Sequence, residues 1–235
     1  RAVDGVSFQV REGEIFGIAG VEGNGQSQLV HAVAGAIPRT DGDIRYDGRS
    51  ILQWDVRRRR EQGIGHIPED RQRFGLLLPF SLSDNLALGR HHLPPFVGKL
   101  QFINTSYKRD YARRTIQEYD IRTPSELVTA VSLSGGNQQR VVVAREMSFE
   151  PRLLVASQPT RGVDVGAMEF IYSQLLRARA ERKAVLLVSA DLDEILSLSD
   201  TIGVMYRGKI VKIFSRGDAT REEIGLYMTG EGQHA

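Results

Sequence analysis

A chain of 235 residues is long enough for one large domain or for a domain with an inserted sub-domain. Its 41% hydrophobic content supplies a full core and excludes a disordered polymer. The balance of 31 Lys and Arg against 29 Asp and Glu excludes nucleic-acid binding through bulk charge, and the absence of cysteine excludes disulfides and thiolate metal sites. No apolar run approaches the roughly 20 residues of a membrane span. The opening "RAVDGVSFQV" has no apolar signal-peptide core. With no initiator Met, it reads as a piece of a longer polypeptide.

In chain order, "VDGVSFQV" (3–10) alternates apolar and polar residues as a half-buried strand does. After the turn "REGE", "IFGIAG" reads as a short buried strand, and "SQLVHAVAGA" has helical spacing with Leu29, Val30, Val33 and Ala34 on one face. Between them lies "GIAGVEGNGQSQL", with Gly20, Gly23, Asn24, Gly25, Gln26, Ser27 and Gln28. A strand, a glycine loop and a helix are the context of a phosphate-binding loop, whose backbone N–H groups and helix N-terminus favour an anion. Gln26 stands where such a loop carries lysine. Taken alone, a structural turn explains these glycines equally well.

"DGDIRYDGRSI" reads as a hairpin turning at Asp47-Gly48, and "GIGHIPE" as a further strand. From about residue 70 the texture becomes helical. Ser83 and Asp84 precede one helical pattern, and "SYKRDYARRTIQEYDI" is an amphipathic helix. "VSLSGGNQQRVVVAREM" (131–147) opens a helix on Ser134-Gly135-Gly136, followed by Asn137 and Gln138. Two glycines in a first turn weaken a helix by about 1 kcal/mol each relative to alanine. Unblocked N–H groups and a serine hydroxyl there would receive an anion, which would offset that loss. The bland reading is a capped helix. Strands at 153–158 and "AVLLVS", helices at "VGAMEFIYSQLLRARAERK" and "DLDEILSLSD", a hairpin turning at Arg207-Gly208 and a capping box at Thr220 and Glu223 follow. Strands alternating with helices predict an α/β fold with a mostly parallel sheet.

Several features keep ordinary readings. The "RRRR" run at 57–60 reads as a solvated helix face. His91 and His92 have no ligand framework around them, so loop histidines are expected. Trp54 reads as packing. The helical stretch near 75–125, with "LLLPFSLSDNLAL", is expected to present an apolar groove.

The ordered set "GVEGNGQSQL", "HIPEDR", "LSGGNQQR" and "QPTRGVDVGA" resembles the nucleotide-binding domains of ABC transporters. More narrowly, it resembles the C-terminal half of the double-length ATPases that serve bacterial importers of nucleosides and simple sugars. The resemblance covers essentially the whole chain. It implies one ABC-type P-loop domain over 1–235, with an α/β core, an antiparallel β subdomain, a helical subdomain at about 75–150 and a tail at 215–235. It also implies ATP with Mg2+, Ser27 being the metal-facing hydroxyl, and a signature motif at Ser134, Gly135, Gly136, Asn137 and Gln138. Asp164 falls at the D-loop position and Glu69 at the Q-loop position, where the family usually has Gln.

Departures from the family pattern are concentrated. Gln26 replaces the phosphate-loop lysine, Ser157 and Gln158 replace the magnesium-binding Asp and the catalytic Glu, and Ala190 replaces the switch histidine. The family's adenine-stacking aromatic would lie upstream of Arg1. The resemblance therefore implies a degenerate site of its own and an intact signature that completes a partner's ATP site. The implied partners are a second, competent ABC domain upstream in the same polypeptide, membrane permease subunits and, indirectly, a substrate-binding protein, with no nucleic acid. The implied location is cytoplasmic, on the inner face of the bacterial plasma membrane. The alternatives are a soluble ABC-type ATPase of DNA repair or translation, and an adaptor that binds no nucleotide. A repair member would carry a long coiled coil before the signature, and a translation factor a basic linker; neither is present in the sequence.

Overall fold

The structure, a computed structural model, describes residues 2–37, 41–98 and 101–233. In chain order the strands are β1 (Ile15–Ala19), β2 (Arg45–Tyr46), β3 (Arg49–Ser50), β4 (Ile64–Ile67), β5 (Leu153–Ser157), β6 (Ala184–Ser189), β7 (Thr201–Tyr206) and β8 (Lys209–Ser215). The α-helices are α1 (Gln26–Ala34), α2 (Val56–Glu61), α3 (Leu82–Ala87), α4 (Thr105–Glu118), α5 (Gly135–Met147), α6 (Val165–Ala180), α7 (Leu192–Leu198) and α8 (Arg221–Thr229). They fall into two compact units. The first comprises Arg1–His66, Pro151–Pro159 and Tyr172–Ala235; the second comprises Ile67–Glu150 and Thr160–Ile171.

The first unit is built on a six-stranded sheet in the order β4-β5-β6-β1-β7-β8. β1 and β6 are buried along their whole length. Continuous apolar runs of this kind suit central parallel strands covered on both faces. β1 pairs in parallel with β6 and β7, and β5 pairs in parallel with β6. β8 closes the edge antiparallel to β7, and its outward lysines discourage pairing with another chain. Phe16, Ile18, Val155, Leu186 and Val188 form the core with Leu29, Val30 and Val33 of α1. Both expected hairpins form. Asp47 and Gly48 have φ of 50° and 74°, and Arg207 and Gly208 have 46° and 79°, the paired positive values a tight two-residue turn requires. The tail carries α8, whose Thr220–Glu223 capping box is made in both directions.

Two expectations for this unit need correction. Residues 3–10 form no strand. Val3, Val6, Phe8 and Val10 instead lie partly buried on the core, with Phe8 stacked on Phe16 at 4.9 Å between ring centroids. Alternation registers one-sided burial, and here it is met by packing without ladder hydrogen bonds. The arginine run is not wholly solvated either. Arg59 is 3% exposed. Its guanidinium donates to the carbonyls of Ala32, Val33, Ile51 and Trp54 at 2.6–3.0 Å. A cation at the last turn of α1 satisfies carbonyls that helix geometry leaves open and meets the negative end of the dipole. Burial lowers its pKa from the usual arginine value. Trp54 packs partly buried on the same core, with Arg58 over its ring at 4.9 Å.

The second unit packs α3, α4, α5 and the start of α6. Leu82, Leu86, Ala112, Val141, Val142 and Ala144 are buried. The residue that caps α3 is Ser81, not Ser83 or Asp84. Its hydroxyl accepts from the Asp84 N–H, while Ser83 is buried inside the helix. Buried Asn85 organises the preceding turn by accepting from Leu77 N and donating to the carbonyls of Leu77, Phe80 and Ser81. His91 and His92 pack edge to face with ring centroids 5.5 Å apart. Among the described residues, no group of three His, Cys, Asp or Glu side chains is placed to hold a metal ion, and no helix is long and apolar enough to cross a membrane.

Candidate functional site

In the first unit the parallel pairing brings the carboxyl ends of β1, β5 and β6 to one edge of the sheet. Open α/β sheets bind ligands at such an edge. Gly20 follows β1, Ser157 ends β5, Gln158 follows it, and Ala190 follows β6, so four of the sequence-predicted positions gather there.

The loop from Gly20 to Gly25 closes around one carbonyl. Val21 O accepts from Asn24 N at 3.3 Å, Asn24 Nδ2 at 3.0 Å and Gln26 Nε2 at 2.9 Å. Asn24 also fixes the β7–β8 turn, its Oδ1 accepting from Arg207 N and its main-chain oxygen from Gly208 N, each at 2.8 Å. Gly25 has φ of 104°, and a Cβ there would collide with the Ala2 carbonyl. A Cβ on Gly20 would collide with the Gln26 amide. Gln26 is thus buried and folded back across its own loop. No side chain caps α1, and its first intrahelical bond runs from Leu29 N to Gly25 O. The amides of its first turn, at Gln26, Ser27 and exposed Gln28, form the kind of helix end that attracts anions.

The residues at the ends of β5 and β6 are uncharged as far as Ala190. Ser157 is 2% exposed at the end of β5. Gln158 adopts φ of 45°, a left-handed conformation uncommon for a residue with a side chain. Its Oε1 accepts from Ala190 N at 3.3 Å, tying the ends of β5 and β6 together. An amide cannot take a proton at neutral pH, and Ala190 offers only its backbone. Mg2+ demands near-octahedral oxygen ligands, normally including a carboxylate. Ser27 would offer it a hydroxyl here, while Ser157 is buried and the Gln158 amide oxygen is engaged with Ala190 N. Behind it, Asp191 caps α7 by accepting from the Asp193 and Glu194 amides.

The second unit holds the other predicted set. Ser134 caps α5, its Oγ accepting from Asn137 N at 3.4 Å and Asn137 Nδ2 at 3.0 Å, and it remains exposed. Asn137 Oδ1 accepts from Arg122 N, and Gln138 is buried between Ala130 O and Gln72 Nε2. Both glycines lie against charged side chains of the same unit. A Cβ on Gly136 would lie 2.6 Å from Asp164 Oδ2, and one on Gly135 would lie 2.7 Å from Arg71 Nη2. Asp164 also accepts from Ala167 N at 2.9 Å at the start of α6. Glycine is needed at 136 because the carboxylate packs directly on the backbone. Glu69, half-buried, follows β4 in the same unit.

Sequence reasoning did not single out Arg71 or Arg140. Arg140 sits on α5 with its guanidinium 4.2 Å from the centre of the Phe170 ring, and it donates to the Gly166 and Asp120 carbonyls. The only sequence signal for either was its position inside "HIPEDR" or "LSGGNQQR".

Comparison with known proteins bears on the family and the fold. The chain is 45% identical over 228 residues to the nucleoside import ATP-binding protein NupA of Lactococcus lactis, covering 97% of the chain and 45% of that protein. It is 44% identical to the guanosine import ATP-binding protein NupO of Bacillus subtilis, covering 97% and 44%. The chain thus spans less than half the length of these relatives. Its fold matches a dimeric ATP-binding cassette solved in a post-hydrolysis state with ADP and phosphate, at TM-score 0.77 and 23% identity, covering 91% of the chain and 90% of the cassette. The family model described as ABC transporter matches residues 3–161, which take in the glycine loop and the whole signature helix, and the chain belongs to that family.

Proposed function

We propose that the chain is the energy-coupling ATP-binding domain of an importer, with nucleosides as cargo and simple sugars as the alternative. Its own phosphate loop binds Mg-ATP weakly and does not hydrolyse it usefully. Its signature, at Ser134, Gly135 and Gly136 with Asp164 beside it, completes the ATP site of a second, competent cassette upstream in the same polypeptide. The observation that carries this reading is the asymmetry between the two sets of residues. Every departure from the family pattern that removes charge or a base falls at the sheet edge (Gln26, Ser157, Gln158, Ala190), whereas Ser134 to Gly136 and Asp164 are intact.

The chemistry supports the same division. Loss of a charge-assisted contact such as lysine to phosphate costs about 2–5 kcal/mol. Loss of a general base costs about 10²–10⁴ in rate. Ser134 is exposed at a helix N-terminus and able to reach a phosphate presented by another molecule. Nucleoside cargo is supported by the names of the relatives. Leu77, Phe80, Leu127 and Val131 of the second unit are 42–60% exposed, a surface suited to permease subunits at the cytoplasmic face of the plasma membrane. A substrate-binding protein would act through that permease.

The test is calorimetric titration of the chain with Mg-ATP together with a turnover assay. Weak or undetectable binding without turnover is expected. Micromolar affinity with vigorous hydrolysis would sink the reading.

A further inference from the structure

We infer that Arg71 is a positioning residue for the signature motif, and this rests on the reading that the signature serves a paired cassette. Arg71 Nη1 donates to Arg161 O at 2.9 Å and Nη2 to Gly162 O at 3.2 Å. Nη2 also lies 2.7 Å from where a Cβ on Gly135 would be. One planar guanidinium therefore bridges two successive carbonyls of the turn that leads to Asp164 and rests on the first residue of α5.

The backbone that aims this side chain is itself anchored to α5. Arg71–Gly75 is a single wide π-type turn, a form often found at functional sites. Asp70 Oδ1 accepts from Gln72 N and Arg73 N, each at 3.0 Å, and starts the turn. Gln72 Nε2 donates to Gln138 Oε1 at 3.0 Å, and Arg145 Nη1 donates to Gly75 O at 2.7 Å. Gln138 and Arg145 both belong to α5, so the turn is held at its second and last residues by the signature helix. Gly162 has φ of 65°, and only a chain free of a side-chain clash takes that conformation readily.

The consequence is geometric. Asp164 must lie on the backbone of Gly136 while Ser134 stays exposed beside it, and the Arg161–Gly162 turn sets where Asp164 begins. Arg71 fixes that turn relative to the helix end. A lysine would supply the charge but only a point donor, and cannot span both carbonyls with a rigid fork. The expected signature of this role is loss of turnover without loss of fold.

The experiment uses the protein carrying this chain, assembled with its competent cassette, and compares Arg71→Ala, Arg71→Lys and Ser134→Arg. Arg71→Ala is expected to lower kcat about tenfold or more, since misplacing a site residue by about 1 Å can cost 10²-fold. KM for ATP and the thermal unfolding midpoint should hold, and Arg71→Lys should recover part of the rate. Adding Arg71→Ala to Ser134→Arg should cause no further loss. Unchanged kcat in Arg71→Ala overturns the inference, and so does a loss matched by a fall in unfolding midpoint in both Arg71 variants. If Ser134→Arg keeps full turnover, the parent reading fails as well. An inactive Ser134→Arg beside a fully active Arg71→Ala overturns this inference alone.

Discussion

The glycine loop of the first unit and the glycine-started helix of the second solve the same local problem in opposite ways. α1 begins with no side-chain cap, and its loop turns inward on the Val21 carbonyl. α5 begins with a serine cap, a carboxylate packed on Gly136 and a guanidinium on Gly135. The first arrangement turns the Asn24 and Gln26 side chains inward and places uncharged Ser157, Gln158 and Ala190 at the β5 and β6 ends. The second places charged groups against the two glycines that follow an exposed serine cap. Both glycines make room for a neighbour, Gly25 for the Ala2 carbonyl and Gly136 for Asp164, and Gly25 also permits a positive φ.

The largest stability effect is expected where the loop helix ends. Arg59→Met removes the donors to four carbonyls, and leaving such groups unmade should cost about 3 kcal/mol in chemical denaturation. A change below about 0.5 kcal/mol would show that water replaces the guanidinium freely. Gln26→Lys tests the loop directly. Restoring a cation against the phosphates should tighten Mg-ATP by about 2 kcal/mol, roughly thirtyfold, by calorimetry. No gain would mean that the loop geometry, and not the missing charge, limits binding.

Gly136→Ala probes the other region. Its Cβ would meet Asp164 Oδ2 at 2.6 Å and Ala167 Cβ at 3.1 Å. Overpacking of this kind costs about 1–3 kcal/mol, and the paired ATPase should fall with it. An unaltered melting curve and unaltered rate would remove the packing role given to this glycine.

The smallest effect concerns acid stability in the second unit. Hydrogen bonding from Arg109, then from the backbone and Arg113, lowers the Glu126 pKa from 4.5 to about 2. Its carboxylate accepts from Arg109 Nε at 2.9 Å and Arg113 Nη2 at 3.0 Å. A depressed folded-state pKa gives stability that is fully present above the unfolded value near 4.5 and is lost as pH falls toward 2. Glu126→Gln should therefore flatten the stability profile between those values; a profile identical to the parent's would contradict it.

Much of this was legible before any coordinates. Asp47-Gly48 and Arg207-Gly208 announced their hairpins because tight turns constrain composition strongly. "AVLLVS" reads as a buried strand because the run is short and carries two β-branched valines. The glycine loop was legible because strand, loop and helix follow one another locally, whereas Ser157, Gln158 and Ala190 were named only through the family resemblance. What escaped notice depends on long-range contact. Arg59 sits within a run of four arginines, and only the fold reveals that one of them reaches the Ala32 and Val33 carbonyls. Ser81, Ser83 and Asp84 are all competent helix caps by type, and burial of Ser83 decides among them. Arg71 bonds carbonyls about ninety residues away, and no local pattern encodes that.

The claim that the signature works for another cassette is tested most directly by steady-state ATPase of the assembled protein carrying Ser134→Arg. A bulky cation at the exposed cap of α5 should block the approach of a partner's nucleotide, and turnover should drop about 100-fold, as loss of a preorganised donor does elsewhere. Turnover equal to that of the unmodified assembly would contradict the account.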